Sequence, residues 1–286
     1  MAALASAFAI LVLAVVEAGA ALVSPRLSPS DEDWMAAAAF VNGKFAPDDL
    51  IVAAPEWADP VLRQHLGDRL PGPIAGRLDH ERFARIWEIS QRGGEAPEAD
   101  GARLVQEQRF GNLRVRLFER AAKAVTYDFT NRWREARVTR EAAGQPPVPC
   151  ELQPTQHQCP DFRYNFVRDA LLEIGGGIRH ALYAQPVSNA AVVLEYPSAV
   201  LGRELAVAGG LHNVWLRKVS DGTVTTRVLV DDKEIGRFDS GNRTGWTIRR
   251  FDTAAFAGKT ARVRFEITSA NPYSRHFGLA AEARGR

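Results

Sequence analysis

The residues suited to gripping a sugar gather near the end of the chain, in the run Asn271-Pro272-Tyr273-Ser274-Arg275-His276-Phe277-Gly278. Tyr273 offers a flat apolar ring for one face of a pyranose, and Asn271, Arg275 and His276 offer donors and acceptors for its hydroxyls. Trp246, Trp215 and His212 are residues of the same kind in or beside the preceding segments. Each also has a plainer use. Trp246 lies in phase with Ile248, as a core residue would, and His276 precedes a core-type Phe277. Tyr273 and Arg275, in a Pro-containing loop, are therefore the stronger candidates.

A second cluster, Pro55-Glu56-Trp57-Ala58-Asp59-Pro60, follows the apolar run Leu50-Ile51-Val52-Ala53-Ala54. Open α/β sheets bind ligands just beyond such strands. Glu56 and Asp59 beside the Trp57 indole suit a sugar or an acid/base pair, while Asp59 followed by Pro60 equally suits the start of a helix. Asp79-His80-Glu81 has metal-ligand types, but no second cluster completes a site. His-Glu-x-x-His, Gly-x-Ser-x-Gly and phosphate-loop motifs are absent, and Gly175-Gly176-Gly177 lacks the setting of a dinucleotide loop. No catalytic residue, metal or cofactor is assigned.

Cys150 and Cys159 are the only cysteines and bracket a Pro-containing loop at a spacing that a disulfide can close. Two unrelated free thiols are the other reading. A metal site ranks below both, because His157 is the only histidine between them and a structural zinc takes four ligands. A disulfide places the soluble part outside the cytoplasm, against the weaker pull of Arg26 after the N-terminal apolar run. With a net charge of +2 the chain has no electrostatic footprint for nucleic acid.

These residues need elements to hold them. Ala2–Val23 is apolar except for Glu17, long enough for a membrane helix; Ala18-Gly19-Ala20 also suits signal cleavage, but no basic residue precedes the run. A start inside a longer polytopic chain is a third reading. Ser30-Asp31-Glu32-Asp33 predicts a helix to about Lys44, followed by a strand at 50–54, a helix from Asp59-Pro60 to Gly67, a strand at 85–90 and a hairpin over 103–118. From Val125 onward short strands follow one another. In Ala261–Ile267, Val263, Phe265 and Ile267 alternate with Arg262, Arg264 and Glu266, as in a half-buried strand, and Asp231-Asp232-Lys233-Glu234 predicts a polar hairpin turn before Ile235 and Phe238. The expected class is α+β: an N-terminal transmembrane helix or signal segment (1–23), a small α/β domain (28–120) and an antiparallel β-sandwich of jelly-roll type (121–286).

The order Asp33-Trp34, Phe40-Val41, Pro47-Asp48-Asp49-Leu50-Ile51-Val52 and Arg85-Ile86-Trp87 after an apolar helix resembles the membrane-external tail of polytopic, lipid-carrier-dependent glycosyltransferases of the dolichyl-phosphate-mannose type. The similarity spans about residues 1–120. That family's catalytic acid has no counterpart among these residues, so the resemblance implies a setting of envelope glycan assembly and no activity. Gly245-Trp246 to Asp252, then Ala255–Lys259 and the strand of alternating arginines, is similar to galactose-binding-like jelly-roll modules.

The combined expectation is a single-pass inner-membrane protein with a periplasmic soluble part. It would act as an accessory that binds glycan or lipid-linked sugar alongside envelope glycan-assembly proteins. The alternatives are the tail of a glycosyltransferase whose catalytic membrane region lies elsewhere, and a structural envelope module without a ligand.

Overall fold

The Ser30 hydroxyl accepts the Asp33 N–H at 3.1 Å, and the Asp33 carboxylate accepts the Ser30 N–H at 2.9 Å, a reciprocal cap that starts helix α1, Asp31–Asn42. The computed structural model describes residues 10–19, 28–160, 165–213 and 222–285. It divides the chain into two compact units, Met1–Leu70 with Phe83–Ala121 and Pro71–Arg82 with Ala122–Arg286. Residues 10–19 form an exposed helix. Among the described residues no helix is long and apolar enough to cross a membrane, and the rest of the apolar run that was expected to do so lies outside them.

Unit 1 is a four-stranded sheet of β1 (Leu50–Ala54), β2 (Arg85–Gln91), β3 (Arg103–Phe110) and β4 (Leu113–Glu119), in the order β1-β2-β4-β3. Strands β1 and β2 are parallel, as their wholly apolar or two-sided burial predicts, and β3-β4 is the expected hairpin. Helix α1 and helix α2 (Asp59–Leu66) cover one face, where Trp34, Val41 and Leu62 meet Trp87, Ile89, Val115 and Leu117. On the other face Glu88, fully buried, takes Arg116 Nε at 2.8 Å and the Ala96 N–H at 2.8 Å, so neither charge is left unpaired.

Unit 2 is mostly antiparallel β-sandwich, in agreement with the jelly-roll expectation. Its strands are β5 (Val125–Asp128), β6 (Arg137–Glu141), the two-residue β7 to β9 (Val148–Pro149, Glu151–Leu152, His157–Gln158), β10 (Phe166–Ile174), β11 (Gly177–Ala184), β12 (Ala191–Val200), β13 (Glu204–Leu211), β14 (Val224–Val230), β15 (Lys233–Ser240), β16 (Thr247–Asp252), β17 (Thr260–Ser269) and β18 (Phe277–Arg284). One sheet runs β16-β13-β18-β11-β10-β9-β8 with β5 beside β18, and the other β15-β14-β17-β12-β6-β7. Between them lie Val263, Phe265 and Ile267 of β17 and Val224, Val228 and Val230 of β14, around a cluster in which Phe129 stands edge-on to Tyr196 at 4.9 Å and to Phe265 at 5.3 Å. Asp231 and Asp232 both take positive φ, closing the two-residue turn between β14 and β15. Cys150 and Cys159, on either side of the β8-β9 hairpin, are joined by a disulfide that closes its base.

The segment Pro71–Arg82, which the strand-and-helix pattern does not announce, belongs with this sandwich. It begins with a short helix α3 (Gly72–Ala75) and lays Leu78 on Ala206, Ala208 and Ala280, the outer face of β13 and β18. The β10-β11 hairpin curls over the same face. A Cβ on Gly278 would stand 2.8 Å from Ile174 and 2.9 Å from Leu172, and one on Gly210 2.4 Å from Ile174, so the hairpin seats only on glycine. Arg284, fully buried, holds the segment down: its guanidinium meets Asp79 twice at 2.9 Å, Glu81 at 3.3 Å and Glu282 at 2.6 Å.

Candidate functional site

Strand register brings the candidate residues to one end of the sandwich. The pairs Val167↔Ala184, Val192↔Ile267, Val224↔Ser269 and Leu211↔Phe277 place residues 185–190, 212–213, 222–223, 241–246 and 270–276 together there. Tyr273, at the tip of the last of these, is 75% exposed. An aromatic ring held that far into water has no packing use in the folded unit.

The loop beneath it is braced. Arg275 N–H donates to Pro272 O at 3.1 Å, and Ser274 takes a positive φ of 54° that turns the chain back toward β18. Arg275, expected as an exposed sugar contact, is instead 1% exposed. Its Nη1 donates to Asn242 Oδ1 in the neighbouring loop, so the guanidinium anchors the loop, and its role is corrected from ligand contact to positioning. A Cβ on Gly222 would lie 2.3 Å from Asn271 O and 3.0 Å from Arg275 Nε, so a third loop closes on the same anchor. Asn271 is exposed on the same loop as Tyr273.

His276 is half-buried. Its Nδ1 lies 2.6 Å from the Tyr183 hydroxyl, which is also 3.1 Å from Gln185 Oε1. Burial, then the charge of nearby His212, pushes His276 below the ordinary histidine range, and burial raises Tyr183 to about 12. At neutral pH both are uncharged hydrogen-bonding groups. His212 N–H donates to His276 O at 2.9 Å, which sets these two residues opposite each other across the β13 and β18 ends. Tyr183, Gln185 and Asn242 were not anticipated. Only Tyr183 left a trace, as the outward-facing aromatic in the alternation of Gly177–Ala184.

Trp246 is not part of this surface. Its Nε1 donates to Leu78 O at 3.2 Å, and its ring packs among Leu78, Ile174 and Tyr183 with the Arg179 guanidinium 5.9 Å away, so it serves the outer-face packing. Trp215 lies outside the described residues.

In unit 1, Trp57 is 60% exposed and Glu56 is exposed, but Asp59 is engaged by Arg63 at 2.5 Å one helical turn on. Asp59 makes no capping bond to the backbone; it sits inside the first turn. One of the two carboxylates an acid/base pair would need is thus held in an ion pair. Asp79 and Glu81 are bound to Arg284, and among the described residues no group of three His, Cys, Asp or Glu side chains could hold a metal ion.

No family model matches the chain, and no curated protein matches it in sequence. Among solved structures, the chain is similar to the second CBM51 domain with INT domains of Clostridium perfringens ZmpB in complex with GlcNAc, at 14% identity and a TM-score of 0.30 over 41% of this chain and 25% of that one. It is similar to CBM51 from Clostridium perfringens GH95 in complex with methyl-galactose, at 8% identity and 0.29 over 51% and 80%. It is also similar to the xylan-binding module CBM15, at 9% identity and 0.29 over 52% and 92%. The chain thus spans a quarter of the first of these structures and most of the other two, and all three are carbohydrate-binding modules.

Proposed function

We propose that the chain is a glycan-binding accessory protein, and that unit 2 takes its ligand at the loop end of the sandwich. The observation that carries this is the pairing of an exposed ring with a rigid mount: Tyr273 stands in water on a loop whose base is fixed by buried Arg275. Such a ring stacks on the apolar face of a pyranose with little loss of side-chain entropy. Asn271, on the same loop, supplies an amide for the hydroxyls at the rim, and neutral His276 lies behind it.

We further propose the setting: a protein anchored in the inner membrane by the apolar N-terminal run, with its soluble part in the periplasm, serving envelope polysaccharide assembly. The Cys150–Cys159 disulfide supports an oxidising compartment, and the composition of residues 2–23 supports an anchor. The full-length protein is to be incubated with an immobilised glycan panel. A glycan whose binding Tyr273→Ala weakens by roughly tenfold or more supports the proposal; a silent panel, or affinities for every bound glycan that Tyr273→Ala leaves unchanged, overturns it.

A further inference from the structure

Unit 1 carries a second exposed ring, and the chain departs from ordinary backbone preference to build its surroundings. Trp57 lies in the 3-10 turn Glu56–Ala58 directly after β1, at the carboxyl end of the parallel β1-β2 pair. The guanidinium of Arg92 stands over the indole, 5.8 Å from its centre.

Arg92 belongs to a turn closed by Gly94 N–H on Gln91 O at 3.0 Å, in which both central residues are left-handed, Arg92 at φ 54° and Gly93 at φ 75°. That is the φ pattern of a type I′ turn, whose first central position favours Asn, Asp or Gly. A long cationic side chain there costs backbone strain, of the kind that persists where the residue serves a site. The turn is also wedged in place. A Cβ on Gly94 would stand 2.7 Å from the backbone of Ala54 and Pro55, so the Arg92 turn and the Trp57 turn are locked edge to edge. Arg92 Nη2 reaches Ser28 Oγ at 3.3 Å, a second restraint on its position.

We propose that Trp57, Arg92 and Glu56 form a second sugar-binding platform, separate from the Tyr273 loop and independent of it, for neutral pyranosides with vicinal hydroxyls. The indole covers the apolar face of the ring. The guanidinium donates in pairs to one diol, and the exposed Glu56 carboxylate accepts from a neighbouring hydroxyl. One cation and one anion at the rim match a neutral ligand better than an acidic one.

The test uses the full-length protein carrying Tyr273→Ala, which silences the other loop. Hexasaccharides of glucose, xylose, mannose and galactose, with hexagalacturonate as the charged probe, are titrated by calorimetry and tryptophan fluorescence. A neutral hexasaccharide is expected to bind, and Trp57→Ala to weaken it by roughly tenfold or more. Arg92→Asn suits the left-handed turn, so its melting temperature should hold or rise while its affinity falls by roughly tenfold. Loss of binding without loss of stability separates a ligand contact from a structural residue. The proposal is overturned if no neutral hexasaccharide binds, if both variants bind as well as their parent, or if hexagalacturonate binds tighter than every neutral sugar.

Discussion

Replacing Arg284 by Met should invert the acid response of unit 2. The substitution keeps most of the apolar stem and removes the guanidinium that meets Asp79 at 2.9 Å and Glu282 at 2.6 Å, two carboxylates only 6% and 5% exposed. Breaking a buried pair from one side costs about 3–5 kcal/mol. Here Asp79 retains Arg250 at 3.0 Å and Glu282 retains Arg82 at 2.8 Å, so the lower end, about 3 kcal/mol at pH 7, is expected. The sign with pH follows from Asp79. Burial raises its pKa, and the Arg284 hydrogen bond and charge, with smaller help from the Glu81 N–H and Arg250, more than reverse this, leaving it below the ordinary carboxylate range. In the parent this group's stabilisation is therefore complete above the unfolded carboxylate pKa and lost only as pH falls through the lower folded value, so the group adds no slope between pH 7 and 5. Without Arg284, burial is opposed only by the Glu81 N–H and Arg250, and the folded pKa is expected to rise above the unfolded one. The variant then takes up a proton on folding, and its deficit should shrink by about 1 kcal/mol or more by pH 5. Urea unfolding followed by near-UV circular dichroism at the two pH values measures both quantities. A deficit below about 1 kcal/mol at pH 7, or one that grows at pH 5, would refute the reasoning. Adding Asp79→Asn to Arg284→Met should restore part of the loss at pH 7.

Two further outcomes are expected. The Cys150–Cys159 bond closes a loop of sequence separation 9, for which chain entropy gives about 2.5 kcal/mol, so reduction or Cys150→Ser with Cys159→Ser should lower the melting temperature of unit 2 by roughly 5–10 °C. An unchanged transition would mean the bond does not form in solution. Trp246→Phe should cost about 1 kcal/mol through loss of the bond to Leu78 O and leave glycan affinity within roughly twofold, as calorimetry would read; a large loss of affinity at full stability would return Trp246 to the binding surface.

The local elements were legible because each carries its own physical signature. Ser30 with Asp33 announced α1, the apolar run at 50–54 a buried strand, and the alternation at 261–267 a strand with one wet face. What could not be read is how distant pieces meet. Residues 71–82 look like a polar Gly- and Pro-containing connection, and only the small residues Ala206, Ala208 and Ala280 far along the chain create the hollow that Leu78 fills. For Arg275 and Asp59 the sequence shows the charge but not the partner. A sequence lists a guanidinium or a carboxylate as polar, but burial beside Asn242 or pairing with Arg63 decides whether it meets a ligand. Trp246 was rightly in phase with Ile248, yet the face it packs is the outer one, because segment 71–82 makes that face a second interior.

The most direct test of the central claim is calorimetric titration of the full-length protein with whichever glycan gives the strongest panel signal, comparing Tyr273 with Ala and Trp at that position. Stacking on the loop tip predicts that Tyr273→Ala lowers affinity by roughly tenfold or more while Tyr273→Trp stays within about threefold. Equal affinities for the parent and Tyr273→Ala would contradict sugar binding at this loop.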